Sequence, residues 1–560
     1  MKNSIIVLLV AMALLMAACG QGTTGRSATG AGGTAYSAPG VFPITQEKVT
    51  LTALCLAPVN ASYTVDMSTN QFSLWYEEKT NVNIDWEISI GANAENLQRL
   101  QLKIISGDFP DIFLQTPIDR NLLFEIGQEG ILIPLNDLID QHAPELSSIF
   151  RENPRERELV TTPDGNIYGL GFITDYYHGT APNKIWAYRP WMEALNIPVP
   201  TTTQGYFDML MSFRNANFNT GGQRIIPLMN ISFSAMVSSF IYFDASNVMI
   251  DSNNQIRFVS DSEEYREALR WIHNMYRNGL LPQDVFSMEI TQQRNLAVMN
   301  PVIVGSFQGM NPGQWYSNMT LDSSLFDYVA IPPLRGPAGV QQTPLRNLIT
   351  NPQRFAITKN CAIPEVAIKW VDFLYSWDGT NWSNYGPELQ IGVTDQQGWF
   401  VPPMGAEGVN GEQATLGIVT IPQTHQNYIA NSRWAKQIAP WYQPIRDHST
   451  MLFDPLLPNG QYERMLYNAT LLYEPFKQDR SVEVNGTPIF FMTPENNPRV
   501  IELKNAINQY VSQAQAEFIV GVRNLDTDWS RYLVDLESYG LREYANLYNQ
   551  EYQAYLARRR

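Results

Sequence analysis

Apolar residues recur along this chain in two rhythms, and the rhythms predict the elements. Val49–Ala57 (VTLTALCLA) is an apolar, β-prone run broken at Pro58, and it predicts a first strand. Phe72–Glu78 reads as a helix, and Val82–Ile90 alternates as a second strand. Asn93–Ser106 sets Leu97, Leu100 and Ile104 on one helical stripe and ends at Gly107, a residue suited to a left-handed cap. Asp111–Leu114 follows as a short buried strand. Strand–helix–strand alternation predicts a mostly parallel sheet flanked by helices. Further on, Ser260 and Glu263 have capping-box spacing before a helix with Tyr265, Leu269, Ile272 and Tyr276 on one face, closed by Gly279. Pro498 opens a helix with Val500, Leu503, Ile507, Tyr510 and Ala514 inward. Asp526 or Thr527 is expected to cap the next, which runs to Gly540. A last helix carries Leu541, Tyr544, Tyr548, Tyr552 and Tyr555 and finishes in Arg558–Arg560, cations that suit a helix carboxyl end.

The N-terminus has a different pattern. Lys2 precedes an unbroken apolar run, Ile5–Ala18. At about 1.5 Å per residue it reaches roughly 21 Å, short of a bilayer core of about 30 Å. It is therefore a signal-peptide core rather than a stable span. Met16-Ala-Ala-Cys19-Gly20 resembles a bacterial lipobox, with Met16 where Leu is usual. That resemblance implies cleavage before Cys19 and lipidation of its thiol; the alternative is ordinary secretory cleavage with an incidental cysteine. Residues 20–40 hold seven glycines and little to bury, and read as a flexible tether. No later stretch is long and apolar enough to span a membrane.

Composition narrows the function. Lys+Arg 38 against Asp+Glu 54 leaves −16, or −17 once Lys2 is removed, which argues against a nucleic-acid partner because such affinity comes from cations on phosphates. Three cysteines in 560 residues exclude a disulfide-stapled scaffold. Cys55 and Cys361 read as buried hydrophobes, with a bridge between them left open. No His-Glu-x-x-His, no Gly-x-Ser-x-Gly elbow and no phosphate loop ending in Gly-Lys-Ser/Thr occurs, and the five histidines lack metal-ligand spacing. A pair of glycosidase-type carboxylates could still be concealed among so many acids.

Six segments in order resemble the family 1 extracellular solute-binding lipoproteins of ABC importers, in their large oligosaccharide-binding branch. They are Ile105-Ser-Gly-Asp-Phe-Pro-Asp-Ile112; Gly165-Asn-Ile-Tyr-Gly169; Tyr188-Arg-Pro-Trp-Met-Glu-Ala-Leu195 with Ile197-Pro-Val-Pro-Thr201; Leu269 to Leu281; Thr358 to Tyr375; and Phe518-Ile-Val-Gly521 with Asp528-Trp-Ser-Arg-Tyr532. The resemblance implies an α/β, two-lobed clamshell, the type II periplasmic-binding-protein fold, with lobes discontinuous in sequence. The expected division is a signal peptide (1–18), a tether (19–45), lobe 1 (46–175 plus about 330–390) and lobe 2 (about 176–329 plus 391–560). It implies a monomer on the outer face of a bacterial membrane that captures an oligosaccharide and presents it to the importer's permease subunits, with no cofactor and no chemistry. Some large members carry a calcium loop; the matching stretch, Phe213 to Leu228, keeps Asn215, Asn217 and Asn219 but no carboxylate, so no tightly held calcium, and no metal, is expected.

Sugars present apolar C–H faces and a rim of hydroxyls, so a binder needs aromatic platforms and planar polar groups. The loop after the strand ending at Leu114 resembles that of maltose-binding protein, where an Asp-Arg pair faces sugar. It nominates Gln115, Asp119 and Arg120, against a helix cap at Asp119 and a surface Arg120. Tyr176 and Tyr177, Trp315 and Tyr316, and Trp399 lie in Gly/Pro/Asn-rich loops and are the aromatic candidates, against simple loop anchors. Trp191, Trp271, Trp370 and Trp529 fall on helical patterns and are assigned to the core. The rival functions are a secreted glycan-active enzyme, a lyase or glycosidase, and a binder of peptides or another polymer precursor.

Overall fold

The computed structural model describes residues 36–58, 66–174, 177–244, 246–316, 319–344, 349–421, 424–434, 442–443, 449–477 and 489–559. The signal segment, Cys19 and most of the tether lie outside them. Within Ser37–Arg560 the chain carries, among other elements, β1 (Val49–Pro58), α1 (Gln71–Thr80), β2 (Val82–Gly91), α2 (Asn93–Ser106), β3 (Ile112–Leu114), α3 (Arg120–Gln128), α4 (Pro154–Val160) and β4 (Leu170–Thr174). Then come β5 (Lys184–Tyr188), β6 (Val248–Ile250), β7 (Ile256–Phe258), α5 (Glu263–Arg277), β8 (Ser306–Gly309), β9 (Tyr328–Ile331), β10 (Ile349–Ile357), α6 (Pro364–Asp372) and α7 (Trp377–Tyr385). The last are β11 (Gly398–Phe400), β12 (Gly417–Val419), β13 (Tyr442–Gln443), α8 (Pro458–Leu471), α9 (Asn497–Val520), α10 (Trp529–Ser538) and α11 (Leu541–Arg559).

The fold is a two-domain α/β arrangement with several sheets. A six-stranded sheet has the order β13-β4-β10-β3-β1-β2. β1 lies parallel to both β2 and β3, which is why its run is apolar on both faces: Leu51, Leu54, Cys55 and Leu56 are all buried. Strand β2 is the edge, and its half-exposed face carries Asp85 and Glu87, charges that discourage edge pairing. The Asp111 carboxylate accepts from Thr52 N at 2.7 Å and Thr52 Oγ1 at 2.8 Å, pinning the start of β3 against β1. That is the local reason for an acid at this point of the Ser-Gly-Asp-Phe-Pro-Asp segment.

The described residues hold two large cores. One, on the six-stranded sheet, draws on Ile44 to Ile173, then Phe355 to Tyr375, then Trp434. The other draws on Ile185 to Leu334 and Phe490 to Tyr552, where α5 packs on α9 and α9 on α11. Trp191, Trp370 and Trp529 are buried as expected, while Trp271 is half-buried. No described helix is long and apolar enough to cross a membrane.

Most local expectations hold, including α2 with Gly107 at φ 70° as its cap, whose N–H reaches Lys103 O and Ile104 O. Three need correction. The sheet β8-β5-β9 is antiparallel throughout, and β10 runs antiparallel to β3 and β4. Alternation implies parallel pairing only where a single helix joins two adjacent strands, whereas several elements separate β5 from β8. The cap of α5 is Ser262, whose Oγ accepts from Tyr265 N, while Ser260 Oγ donates to Asn247 Oδ1. Helix α10 begins after Asp528, because Asn524 Oδ1 already takes the N–H groups of Asp526 and Thr527. The open bridge is also decided: Cys55 and Cys361 are free thiols, each pushed up to about 12 by burial.

Candidate functional site

Open α/β sheets place ligands at the carboxyl ends of their parallel strands. Here β1, β3 and β4 point their carboxyl ends the same way, and β10 enters from that end. Gln115 is the first residue beyond β3 and has φ 51°, a left-handed backbone rare outside glycine. Its backbone is held by Gln115 N donating to Arg354 O (2.9 Å) and Leu56 N donating to Gln115 O (3.2 Å). Its Oε1 is buried with no hydrogen-bond partner among the described residues, and Thr116 Oγ1 next to it is the same. Backbone strain combined with unmet polar atoms is a combination that clusters at binding sites.

Asp119 caps α3: its Oδ1 accepts from Asn121 N at 2.9 Å and Leu122 N at 2.8 Å. The helix-cap alternative is therefore realised at this residue. Arg120 is not a surface residue. Its Nη1 donates to Leu159 O, and its guanidinium lies 4.7 Å over the Phe491 ring. Burial pulls its pKa down to about 10, Tyr555 opposing the fall and Arg155, a lesser effect, adding to it, so it remains a cation at neutral pH. Arg120 borders a cavity of about 760 Å³ together with Glu158, Phe490, Phe491, Tyr555 and Arg558. Helices α3 and α4 wall it on one side and α11 on the other, so it lies where elements of the two cores meet.

The aromatic candidates are placed in separate surroundings. Tyr176 lies outside the described residues. Tyr177 meets Tyr467 at 5.2 Å and has Lys477 Nζ 4.8 Å over its ring; burial and a hydrogen bond to Glu474 raise its pKa. Trp315 is buried in a core under β8, edge-on to Phe307 at 6.1 Å. Tyr316 Oη lies 2.9 Å from Ala297 O and 3.0 Å from Ser324 Oγ, and burial pushes it up to about 12. Trp399 lies in β11, buried in a small cluster with Tyr385 and Leu416 and edge-on to the more exposed Trp377 at 6.3 Å. Each ring thus anchors its own segment.

One polar cluster near the β4 to β5 crossing has no sequence signature. His178 Nε2 lies 2.9 Å from Glu463 Oε2, and Lys184 Nζ donates to His178 O (2.9 Å) and Ala181 O (2.6 Å). Burial, with Lys477 adding, lowers Lys184 to about 7. In the Phe213 to Leu228 stretch, Asn219 Oδ1 is taken by Gly221 N. Among the described residues no group of three or more His, Cys, Asp or Glu is arranged to hold a metal.

No protein-family model matches the chain. The chain is 24% identical to the fructooligosaccharide ABC transporter substrate-binding protein FusA of Streptococcus pneumoniae, over 98% of both chains. The solved structure of FusA in complex with kestose superimposes with a TM-score of 0.69 at 23% identity, covering 91% of this chain and 100% of that one. An HMO-binding, ABC-transporter-associated solute-binding protein from Bifidobacterium longum infantis gives 0.70 at 17% identity, covering 91% and 99%. The chain therefore has the fold of these solute-binding proteins.

Proposed function

We propose that this chain is the binding component of an ABC importer for oligosaccharides: a family 1 extracellular solute-binding lipoprotein, related to maltose-binding protein. The single observation that carries the reading is end-to-end similarity to FusA, a fructooligosaccharide-binding protein of that kind. Two cores drawn from alternating stretches of chain, with a cavity between their helices, support it. In this reading the cores are discontinuous lobes. Lobe 1 comprises 46–175, about 345–390 and the strand and tryptophan around 434–443; lobe 2 takes most of the remainder. Gln115, Thr116 and Arg120 meet the ligand from lobe 1, with Asp119 shaping the loop. Tyr177 lies at the crossing, and the exposed Trp377, which packs on the buried Trp399, forms part of the rim.

Ligand held between both lobes would favour the closed form, because only that form offers both sets of contacts. Lipid on Cys19 would keep the protein at the outer face of the membrane, beside its permease. The test is calorimetry of the mature chain against a panel of oligosaccharides and peptides, with scattering to follow compaction. Binding of a saccharide returned intact, with a smaller radius of gyration, is expected. Cleaved products, or binding of peptides only, would overturn the reading. Intact-mass analysis of membrane-extracted protein checks the lipid.

A further inference from the structure

Arg120 is a half-buried cation whose described hydrogen-bond and ring partners are neutral. Its Nη1 has a carbonyl, Leu159 O, and its face has a phenyl ring, Phe491. Among the described residues no carboxylate bonds to it. The two acids of the cavity wall are engaged elsewhere. Glu158 lies 2.8 Å from Arg155 Nη1 and accepts from Tyr555 Oη at 2.8 Å. Asp164 accepts from Thr162 Oγ1 (2.5 Å), Asn166 N (3.1 Å) and Tyr168 Oη (2.9 Å), bonds that hold its pKa below the ordinary carboxylate value despite partial burial. Tyr555 beside Arg120 favours its charged form, and Arg155, a lesser effect, opposes it as a like charge. A second cation, Arg558, stands exposed at the same cavity and has no ion pair among the described residues. A buried guanidinium without an anion is costly, and a bidentate carboxylate is its geometric complement.

We infer that the saccharide taken by this protein is acidic, and that its carboxylate seats on Arg120 with Arg558 guarding the approach. The inference rests on the oligosaccharide-binding reading and sharpens it. At about 760 Å³ the cavity is within the roughly 300–1,000 Å³ of small-molecule sites, large enough for a charged terminal sugar rather than a lone ion. The overall charge of −16 would repel an anion at long range, so the selectivity must come from these local cations.

The experiment is calorimetry on the full mature chain at low and physiological salt. The probes are trigalacturonate, its neutral methyl ester, sialyllactose, lactose and, as a sugar-free carboxylate, citrate. An acidic saccharide is expected to bind at least tenfold tighter than its neutral partner. Arg120→Gln should cost it tenfold or more. Arg558→Gln, at an exposed position that folding does not need, should cost it about threefold and flatten the salt dependence. Neutral saccharides binding as tightly as acidic ones, or Arg558→Gln leaving both affinity and salt slope unchanged, would overturn the inference while leaving the saccharide reading intact. Citrate binding alone would overturn the inference. Binding of no saccharide at all would overturn both.

Discussion

Lys184 is a buried ammonium whose energetics can be worked through from its surroundings. It sits at the start of β5, donates to His178 O and Ala181 O, and lies 5.7 Å from the Tyr473 ring. Its folded pKa is about 7, against 10.5 for an unperturbed lysine. Between these values the unfolded chain holds the proton and the folded chain does not. Stability therefore rises as pH rises through this window, and below pH 7 both states are protonated and the contribution is constant. Across the whole window the ceiling is about 5 kcal/mol, at 1.36 kcal/mol per unit; from pH 7.0 to 9.5 it is about 3.4 kcal/mol. For a domain of roughly 300 residues that is about 5 °C in melting temperature. The assay is differential scanning calorimetry from pH 7.0 to 9.5, on the native chain and on Lys184→Met. The variant removes the titrating group, so subtracting its profile cancels the tyrosines and other lysines. The native chain should gain about 5 °C over the variant across the window. Parallel profiles, or a native chain that loses ground to the variant as pH rises, would refute the reasoning.

Asp372 behaves with the opposite sign. Burial raises it to about 7 even though Leu146 N and Glu145 N donate to it, so its contribution is present below about pH 4 and lost as pH rises through 7. The melting temperature should fall over that range, and Asp372→Asn should remove the fall in calorimetric scans from pH 4 to 7. Gln115→Gly relaxes a left-handed backbone and removes an amide from the site; it should raise stability by about 1 kcal/mol in urea titration while weakening saccharide binding several-fold. Asp111→Ala removes the two carboxylate bonds to Thr52, leaving the one from Asp111 N to Thr52 Oγ1, and should cost the sheet about 2–4 kcal/mol in urea titration. A Cβ on Gly336 would stand 1.8 Å from Ser239 O, so Gly336→Ala should lower the melting temperature by several degrees, corresponding to more than about 2 kcal/mol.

Local pattern was enough to determine β1, β2, α2 and α9, because each follows from the period of its own apolar residues and, for α2, from a glycine where a left-handed cap is needed. The strand end at Leu114 likewise pointed to Gln115 and Arg120 as candidates. What those side chains do was decided only in three dimensions. Arg120 looked equally suited to water or to sugar; its burial comes from Leu159, Phe491 and Tyr555, brought to it from distant parts of the chain. Trp315 and Trp399 occupy loop-like sequence yet are buried by partners no local window contains. The antiparallel β8-β5-β9 sheet is the same kind of outcome. Periodicity reports which face of an element is apolar, whereas strand direction and the charge around a buried group depend on what packs against that face, and that is a property of the whole fold.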